Sequence, residues 1–273
     1  MRVGAKRIYD VFVSGGRDST AAAILACREA EELGVPRRLV FIDEFRAFKI
    51  PEGLVKYRPL DYVRELSKYL GVELLVLDPG FDFWEGVKRW GYPHLKRRRW
   101  CFHFLKKGPL LRLAEEESSR GVVPVWVTGI RRGESYHRAE KYRLERYYYR
   151  FGGHLVEYYH PILDWSDEQV DSFLREELEK GLPRNPLWDL GFSCECFCFA
   201  GASRRQLDKI IASMPELAKW LAERDKEVQA VRRRRDPACV RPLYKLGKAL
   251  HEYVEERLRQ RSIQDFVGDG LGR

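Results

Sequence analysis

The sequence is poor in the residues that heat and oxygen damage. Its 273 residues include one asparagine, Asn185, and two methionines. So few thermolabile side chains, beside a charged fraction of 33%, point to a hot-growing source in which ion-pair networks gain value. Long apolar runs are also missing. No stretch approaches the roughly 18 to 20 continuous apolar residues of a membrane span, so no membrane partner is expected. Met1 to Lys6 run straight into a strand-like segment, which leaves no room for a signal peptide and places the protein in the cytoplasm as an expectation. No repeat, low-complexity tract or long linker interrupts the chain.

What is present suits one large α/β domain with an appendage. A chain of this length buries most of the surface it would otherwise expose, so it folds without disulfide staples. Six cysteines in a reducing compartment are then thiols or metal ligands. Lys and Arg number 50 against 41 Asp and Glu, a net charge of +9. That balance suits an anionic partner or, equally, an ion-pair surface.

Ile8 to Val13 is apolar and β-branched and breaks at Ser14-Gly15-Gly16. An alanine-rich helical pattern follows from Ser19 to about Leu33. Arg38 to Ile42 and Val72 to Leu77 are strands on either side of an amphipathic helix, Leu60 to Leu70. This order implies a doubly wound, mainly parallel sheet with helices on both faces. Phe81 to Ser119 is mostly helical and strongly basic. Val122 to Thr128 and Leu155 to Tyr159 are further strands, and Asp167 to Glu179 is a helix capped by Ser166. From about Gly201 the pattern is helical, with a basic interruption at Arg232 to Pro237. Residues 1–200 are therefore expected to form the α/β domain and 201–273 a C-terminal helical subdomain.

The sharpest signal is Ser14-Gly15-Gly16-Arg17-Asp18-Ser19-Thr20, between a strand and a helix. Paired glycines let the backbone approach an anion, and the helix N-terminus favours phosphate there. Ser14, Ser19 and Thr20 add hydroxyls. Asp18 is placed to hold Mg²⁺ on a polyphosphate, or equally to cap the helix. Neither the Walker spacing nor GxGxxG is present.

This loop resembles the SGGxDS loop of the N-type ATP pyrophosphatases, the adenine nucleotide α-hydrolase fold. Three further segments are similar to its phosphoadenosine phosphosulfate (PAPS) reductase-like branch. The first is Arg99-Trp100-Cys101 with Lys106. The second is Val127-Thr128-Gly129-Ile130-Arg131-Arg132-Gly133-Glu134-Ser135 with Arg138. The third runs from His160-Pro161-Ile162-Leu163-Asp164-Trp165-Ser166 to Asn185-Pro186-Leu187-Trp188-Asp189-Leu190-Gly191-Phe192. The resemblance covers roughly residues 8 to 200. It implies ATP across the carboxyl ends of the strands, with phosphates on residues 14 to 20. It puts Asp43 at a nucleotide contact, and Gly129 and Arg131 where the site closes on adenosine and phosphates. Arg131 suits bidentate phosphate binding, or a surface ion pair. After Asp43 the chain departs from the family pattern, with Glu44-Phe45-Arg46 in place of small turn residues.

Cys194, Cys196 and Cys198 alternate with Glu195 and Phe197, so an extended backbone turns all three thiols to one side. In iron–sulfur members of the family, the segment holding Cys101 supplies a ligand from the other side. Four thiols suit a [4Fe–4S] cluster or Zn²⁺, and three leave one iron open. A metal-free cysteine patch is the alternative. Phe102 stands where relatives carry a second cysteine. Cys27 reads as a core residue and Cys239 as structural or a lone thiol.

Lys96 to Trp100, Arg232 to Arg235 and Arg143 to Phe151 are basic runs, the last with Tyr147, Tyr148 and Tyr149. Arginines that hold phosphates beside aromatics that stack on bases suit an RNA or DNA acceptor. A solvated charged face is the alternative. Three functions stay open: an adenylating Mg-ATP pyrophosphatase, in sulfur transfer; a PAPS or adenylyl sulfate (APS) reductase; and a non-catalytic nucleotide- or nucleic-acid-binding subunit. Reductases of the family carry a nucleophilic cysteine near the C-terminus, and Ser262 to Arg273 holds none.

Overall fold

The computed structural model describes residues 6–93, 99–190, 203–235 and 248–270. Along the chain these form β1 (Lys6–Phe12), α1 (Arg17–Glu32), β2 (Arg37–Ile42), α2 (Glu44–Phe48), α3 (Pro59–Leu70) and β3 (Glu73–Leu77). Then come α4 (Phe83–Trp90), α5 (Gly108–Ser119), β4 (Val122–Val127), α6 (Tyr136–Lys141), β5 (Arg146–Phe151) and β6 (His154–Tyr159). Last are α7 (Asp167–Glu179), α8 (Arg204–Ser213), α9 (Pro215–Arg235) and α10 (Leu250–Gly270).

Six strands make one sheet in the order β3-β2-β1-β4-β6-β5. Every pair is parallel except β5 with β6. The chain builds outward from β1 through β2 to β3, then crosses to β4 on the other side. The order therefore reverses between β1 and β4. In doubly wound sheets that reversal opens a crevice at the carboxyl ends of the two strands, where ligands bind.

Alternation along the strands separates the two faces. Tyr9, Val11, Leu39, Phe41, Val125, Val127 and Tyr159 pack with Ala22, Ala23 and Ala26 of α1, Leu60 and Leu66 of α3, and Val170 and Leu174 of α7. Trp126 and Val156 face the other way, onto Ala114 and Leu110 of α5. The alanines let α1 lie close on the sheet. A large-to-small change at fully buried Ile24 of the same helix should cost about 2 to 5 kcal/mol.

Mid-sheet, one rung carries charge. Asp10 of β1 is paired with Arg38 of β2 and Trp126 of β4. Arg38 donates to Asp10 (2.7 Å) and to Glu117 of α5 (2.6 Å). Burial, then the neighbouring Asp10 carboxylate, pushes the Glu117 carboxyl up to about 9. The second oxygens of Asp10 and Glu117 have no hydrogen-bond partner. At neutral pH Glu117 is protonated.

The sequence patterns missed three elements, one of them the short α6. Glu44–Phe48, where the family pattern has small turn residues, is a short helix. Arg146–Phe151, read as a basic-aromatic run, is an edge strand turned back on β6 through Gly152 and Gly153, both at positive φ. The expected interruption at Arg232 to Pro237 begins no earlier than the end of α9 at Arg235, and 236–237 lie outside the described residues.

Two compact units divide the chain. The first takes in the described residues within Met1–Glu44, Tyr57–Gly80 and Phe104–Cys196, and so holds the sheet. The second takes in those within Phe45–Lys56, Phe81–His103 and Phe197–Arg273. Inside the second unit Trp84 donates to the Phe48 carbonyl at 2.8 Å and meets Trp220 edge-on. Fully buried Asp225 of α9 accepts from the Tyr92 hydroxyl (2.6 Å) and from the His251 backbone (3.0 Å). No helix among the described residues is long and apolar enough to cross a membrane.

Candidate active site

The loop after β1 and the loop after β4 meet at the sheet reversal. Gly15 has φ 82°, a left-handed conformation that side chains disfavour. Gly16 is the N-cap of α1 and has no side chain to satisfy the helix. The first intrahelical bond runs from Thr20 N–H to the Gly16 carbonyl at 3.0 Å. The N–H groups of Arg17, Asp18 and Ser19 precede it, so α1 offers an anion its first-turn donors and its dipole.

The hydroxyls divide. Ser14 Oγ lies 3.0 Å from Ser19 Oγ, and the Gly16 N–H donates to Ser14 Oγ at 3.3 Å. These two serines form one half-buried cluster beside the loop. Thr20 is buried, and its hydroxyl turns inward to the Gly16 carbonyl (2.9 Å) and the Tyr62 hydroxyl (3.1 Å). Arg17 is exposed and pairs with Asp171 of α7 at 2.5 Å.

Gly129 shows why the β4 loop approaches so closely. A Cβ there would lie 2.6 Å from the Asp18 carbonyl carbon and from the Ser19 nitrogen. The backbones of the two loops touch, and any side chain at 129 would push them apart. Two residues on, Arg131 is buried, with Nε 3.2 Å from Asp18 Oδ1. Its Nη2 donates to Asp18 Oδ2 (3.3 Å) and Asp167 Oδ1 (2.5 Å), and its Nη1 to the Trp165 carbonyl (3.2 Å). Burial works against the charge, but Asp167 and Asp18 together hold the Arg131 pKa above the ordinary arginine value. Asp18 and Arg131, 113 residues apart, thus share one corner of the crevice.

Around that corner, Glu134 accepts from the Arg131 backbone N–H at 3.2 Å and pairs with Arg138. Burial pushes the Glu134 carboxyl up, against the pull of Arg138. Thr128 Oγ1 lies 2.7 Å from Nδ1 of fully buried His160. Burial pushes His160 down to about 4, so the ring is neutral at physiological pH. Asp43 sits one strand over, buried at the end of β2, with its carboxylate 4.0 Å from Arg58.

A half-exposed carboxylate beside the first-turn donors of a helix is a set that could hold Mg²⁺ on a nucleotide. Of the four cysteines expected as metal ligands, Cys101 belongs to the second unit, next to buried Trp100. Cys194, Cys196 and Cys198 lie outside the described residues, as do Arg97 and Arg98. Among the described residues no group of three His, Cys, Asp or Glu side chains is gathered to hold a metal ion. Cys27 is buried in α1, and burial pushes its thiol up to about 12, which leaves it inert.

A model of the phosphoadenosine phosphosulfate reductase domain matches residues 9–194, the stretch that holds both loops and the whole corner. The chain belongs to the PAPS reductase family. Within the wider adenine nucleotide α-hydrolase group, this is the branch its motifs resemble. An uncharacterized protein of Methanocaldococcus jannaschii is 32% identical over 218 residues, 79% of this chain and 41% of that protein. The adenosine 5'-phosphosulfate reductase of Allochromatium vinosum is 28% identical over 152 residues, 54% of each. The chain thus spans about half or less of the length of these relatives. Among solved structures, the PAPS reductase of Candida auris, in a phosphate complex, aligns at TM-score 0.46 and 20% identity, over 70% of this chain and 80% of that one. A U34-tRNA thiolase of Methanococcus maripaludis with its [4Fe–4S] cluster aligns at TM-score 0.40 and 13% identity, over 82% and 72%.

The family motifs account for the loop, Gly129 and Arg131. They assigned no role to Asp167, to His160 or to the Asn185–Trp188 segment. All three touch the two loops, but their partners are far apart in sequence, which no local spacing reveals.

Proposed function

We propose that this PAPS reductase family protein binds Mg-ATP at the β1–α1 loop and adenylates an acceptor in sulfur transfer, releasing pyrophosphate. The pairing of Asp18 with Arg131 at the N-terminus of α1 carries this reading. A carboxylate suits a hard divalent cation, and a guanidinium suits phosphate oxygens. A cation–phosphate pair entering the corner gives each a new partner without stranding a charge. The acceptor's nucleophilic atom attacks the α-phosphorus. The bond from that phosphorus to the bridging oxygen breaks, and pyrophosphate leaves against the first turn of α1. Arg131 and the N–H groups of Arg17, Asp18 and Ser19 stabilise the charge that develops there. Asp18 would hold Mg²⁺, which would supply charge neutralisation to the leaving phosphates.

An RNA or DNA acceptor is supported by exposed Tyr148, Tyr149, Arg143 and Arg150 on and beside β5. They are not one patch, because Tyr148 points to the opposite face of the strand from Tyr149, and Tyr147 stacks on Tyr158 at 5.3 Å. A [4Fe–4S] cluster or Zn²⁺ on Cys101, Cys194, Cys196 and Cys198 belongs to the same proposal, since thiolates suit either.

The second reading is a sulfonucleotide reductase. It is favoured by the likeness to the A. vinosum enzyme. One experiment separates the two. Anaerobically purified chain receives Mg-ATP with RNA, single-stranded DNA or sulfate, and in parallel adenylyl sulfate with a dithiol. Pyrophosphate release that falls at least about 100-fold in Asp18→Ala supports adenylation. Release at the parent rate from that variant overturns the loop assignment. Sulfite formed from adenylyl sulfate, without pyrophosphate release from ATP, establishes the reductase.

A further inference from the structure

The chain's one asparagine reaches into the phosphate loop. Asn185 is buried, and its Nδ2 donates to the Gly15 carbonyl oxygen at 2.8 Å. Trp188 Nε1 donates to the same oxygen, also at 2.8 Å. Asn185 is fixed in turn, because its Oδ1 accepts the Leu187 N–H at 3.0 Å. The Trp188 ring packs edge-on against Tyr62 of α3, at 5.7 Å between centroids. Tyr62 is the residue that meets Thr20 in the first turn of α1. The 3-10 turn Pro186–Leu190 is thereby locked to both ends of the phosphate loop.

We propose that Asn185 and Trp188 are positioning residues of the phosphate loop. They fix which way the peptide between Gly15 and Gly16 points. This rests on the reading of residues 14 to 20 as a phosphate site. The carbonyl of that peptide faces Asn185 and Trp188, while its N–H faces Ser14 Oγ, next to Ser19 Oγ. A glycine pair is free to flip this peptide, and Gly15 at φ 82° has no side chain to resist. Flipping would turn the carbonyl dipole toward the serine hydroxyls and the first turn of α1, the place where anionic oxygens would sit. Two donors on one carbonyl hold the unflipped state, which keeps the Gly15 carbonyl turned away from those hydroxyls. Asparagine is suited to this task because it donates and accepts at once. Aspartate in its place would keep the Leu187 bond but turn a carboxylate oxygen on the carbonyl.

The test uses the full chain with inorganic pyrophosphate and Mg-ATP as probes, read by calorimetry beside thermal melting. Trp188→Phe keeps the ring against Tyr62 and removes only the donor. It should melt close to the parent and bind both probes about tenfold more weakly, as the loss of one buried hydrogen bond implies. Asn185→Asp should weaken both further, and Asn185→Ala should fall between them. Trp188→Phe that binds pyrophosphate with parent affinity overturns the proposal even if Asn185 variants fail to fold. A parent chain that binds neither probe overturns the phosphate-loop reading and the positioning role with it. Parent binding with unaltered variants overturns the positioning role alone.

Discussion

Arg38 and Arg131 in the sheet domain each hold two carboxylates, and they are used differently. Arg38 lies mid-sheet with Asp10 and Glu117, whose side chains are 0% and 4% exposed. Arg131 lies at the carboxyl end with Asp18 and Asp167, whose side chains are 29% and 71% exposed, while its own is 7% exposed. In the closed cluster water cannot stabilise an excess negative charge, so one carboxyl keeps its proton. In the open cluster both carboxylates reach solvent and stay available to other partners. The lesson is that arginine–carboxylate pairing alone does not mark a functional site. Access to the carboxylates does, together with a first-turn helix N-terminus beside them.

Removing Arg38 breaks the comparison most strongly. Arg38→Met leaves Asp10 buried without a counter-charge, and unfolding in urea should show a loss of about 3 to 5 kcal/mol. Arg131→Met should cost much less, about 1 kcal/mol, because Asp18 and Asp167 recover water. Equal losses at the two sites would erase the distinction between closed and open clusters.

The Glu117 proton sharpens it. Glu117 titrates near the ordinary glutamate value of 4.5 in the unfolded chain and at about 9 in the folded one. Below the first value both states hold the proton, and the contribution to stability is complete. Between the two the unfolded chain alone ionises, so stability falls as pH rises, and above about 9 the loss is finished. The slope from this group is at most about 1.4 kcal/mol per pH unit. Glu117→Gln should flatten the difference between denaturation midpoints at pH 6 and pH 8. A variant whose stability keeps the parent's pH slope would show that Glu117 is ionised in the fold.

Much of this was legible in the sequence. The strands from β1 to β4, with β6, announced themselves through short apolar runs, all but β2 followed closely by glycine or proline. The Ser166 cap gave Asp167–Glu179 its boundaries, and the hydroxyl does accept the Gln169 N–H. Ser14 to Thr20, Gly129 and Arg131 were visible as motifs. The edge strand was not, because Arg146 to Arg150 lacks alternation: tyrosine suits either face, and both ends carry charge. The clamp on Gly15 was hidden for another reason. Asn185 lies 170 residues from its partner, and a hydrogen bond to a carbonyl leaves no mark on the partner's identity. The closed cluster was hidden likewise, since Asp10 in a strand reads as an exposed position until Glu117 of α5 is laid over it.

The smallest effect expected is at Asp167, and it tests the open cluster directly. This carboxylate is the first residue of α7 and mostly exposed, so its pairing with Arg131 at 2.5 Å is screened by water. It also favours the α7 dipole, worth about 0.3 to 1 kcal/mol in the first turn of a helix. Asp167→Asn should therefore cost no more than about 1 kcal/mol of stability, less at high salt. Toward an anion the change acts in the other direction. One of the two carboxylates that compete for Arg131 is gone, and a negative charge near the crevice goes with it. Pyrophosphate should bind about two- to threefold more tightly, with the gain shrinking as salt rises. Weaker binding would mean that Asp167 orients the guanidinium for phosphate, and the open cluster would then be as fixed as the closed one.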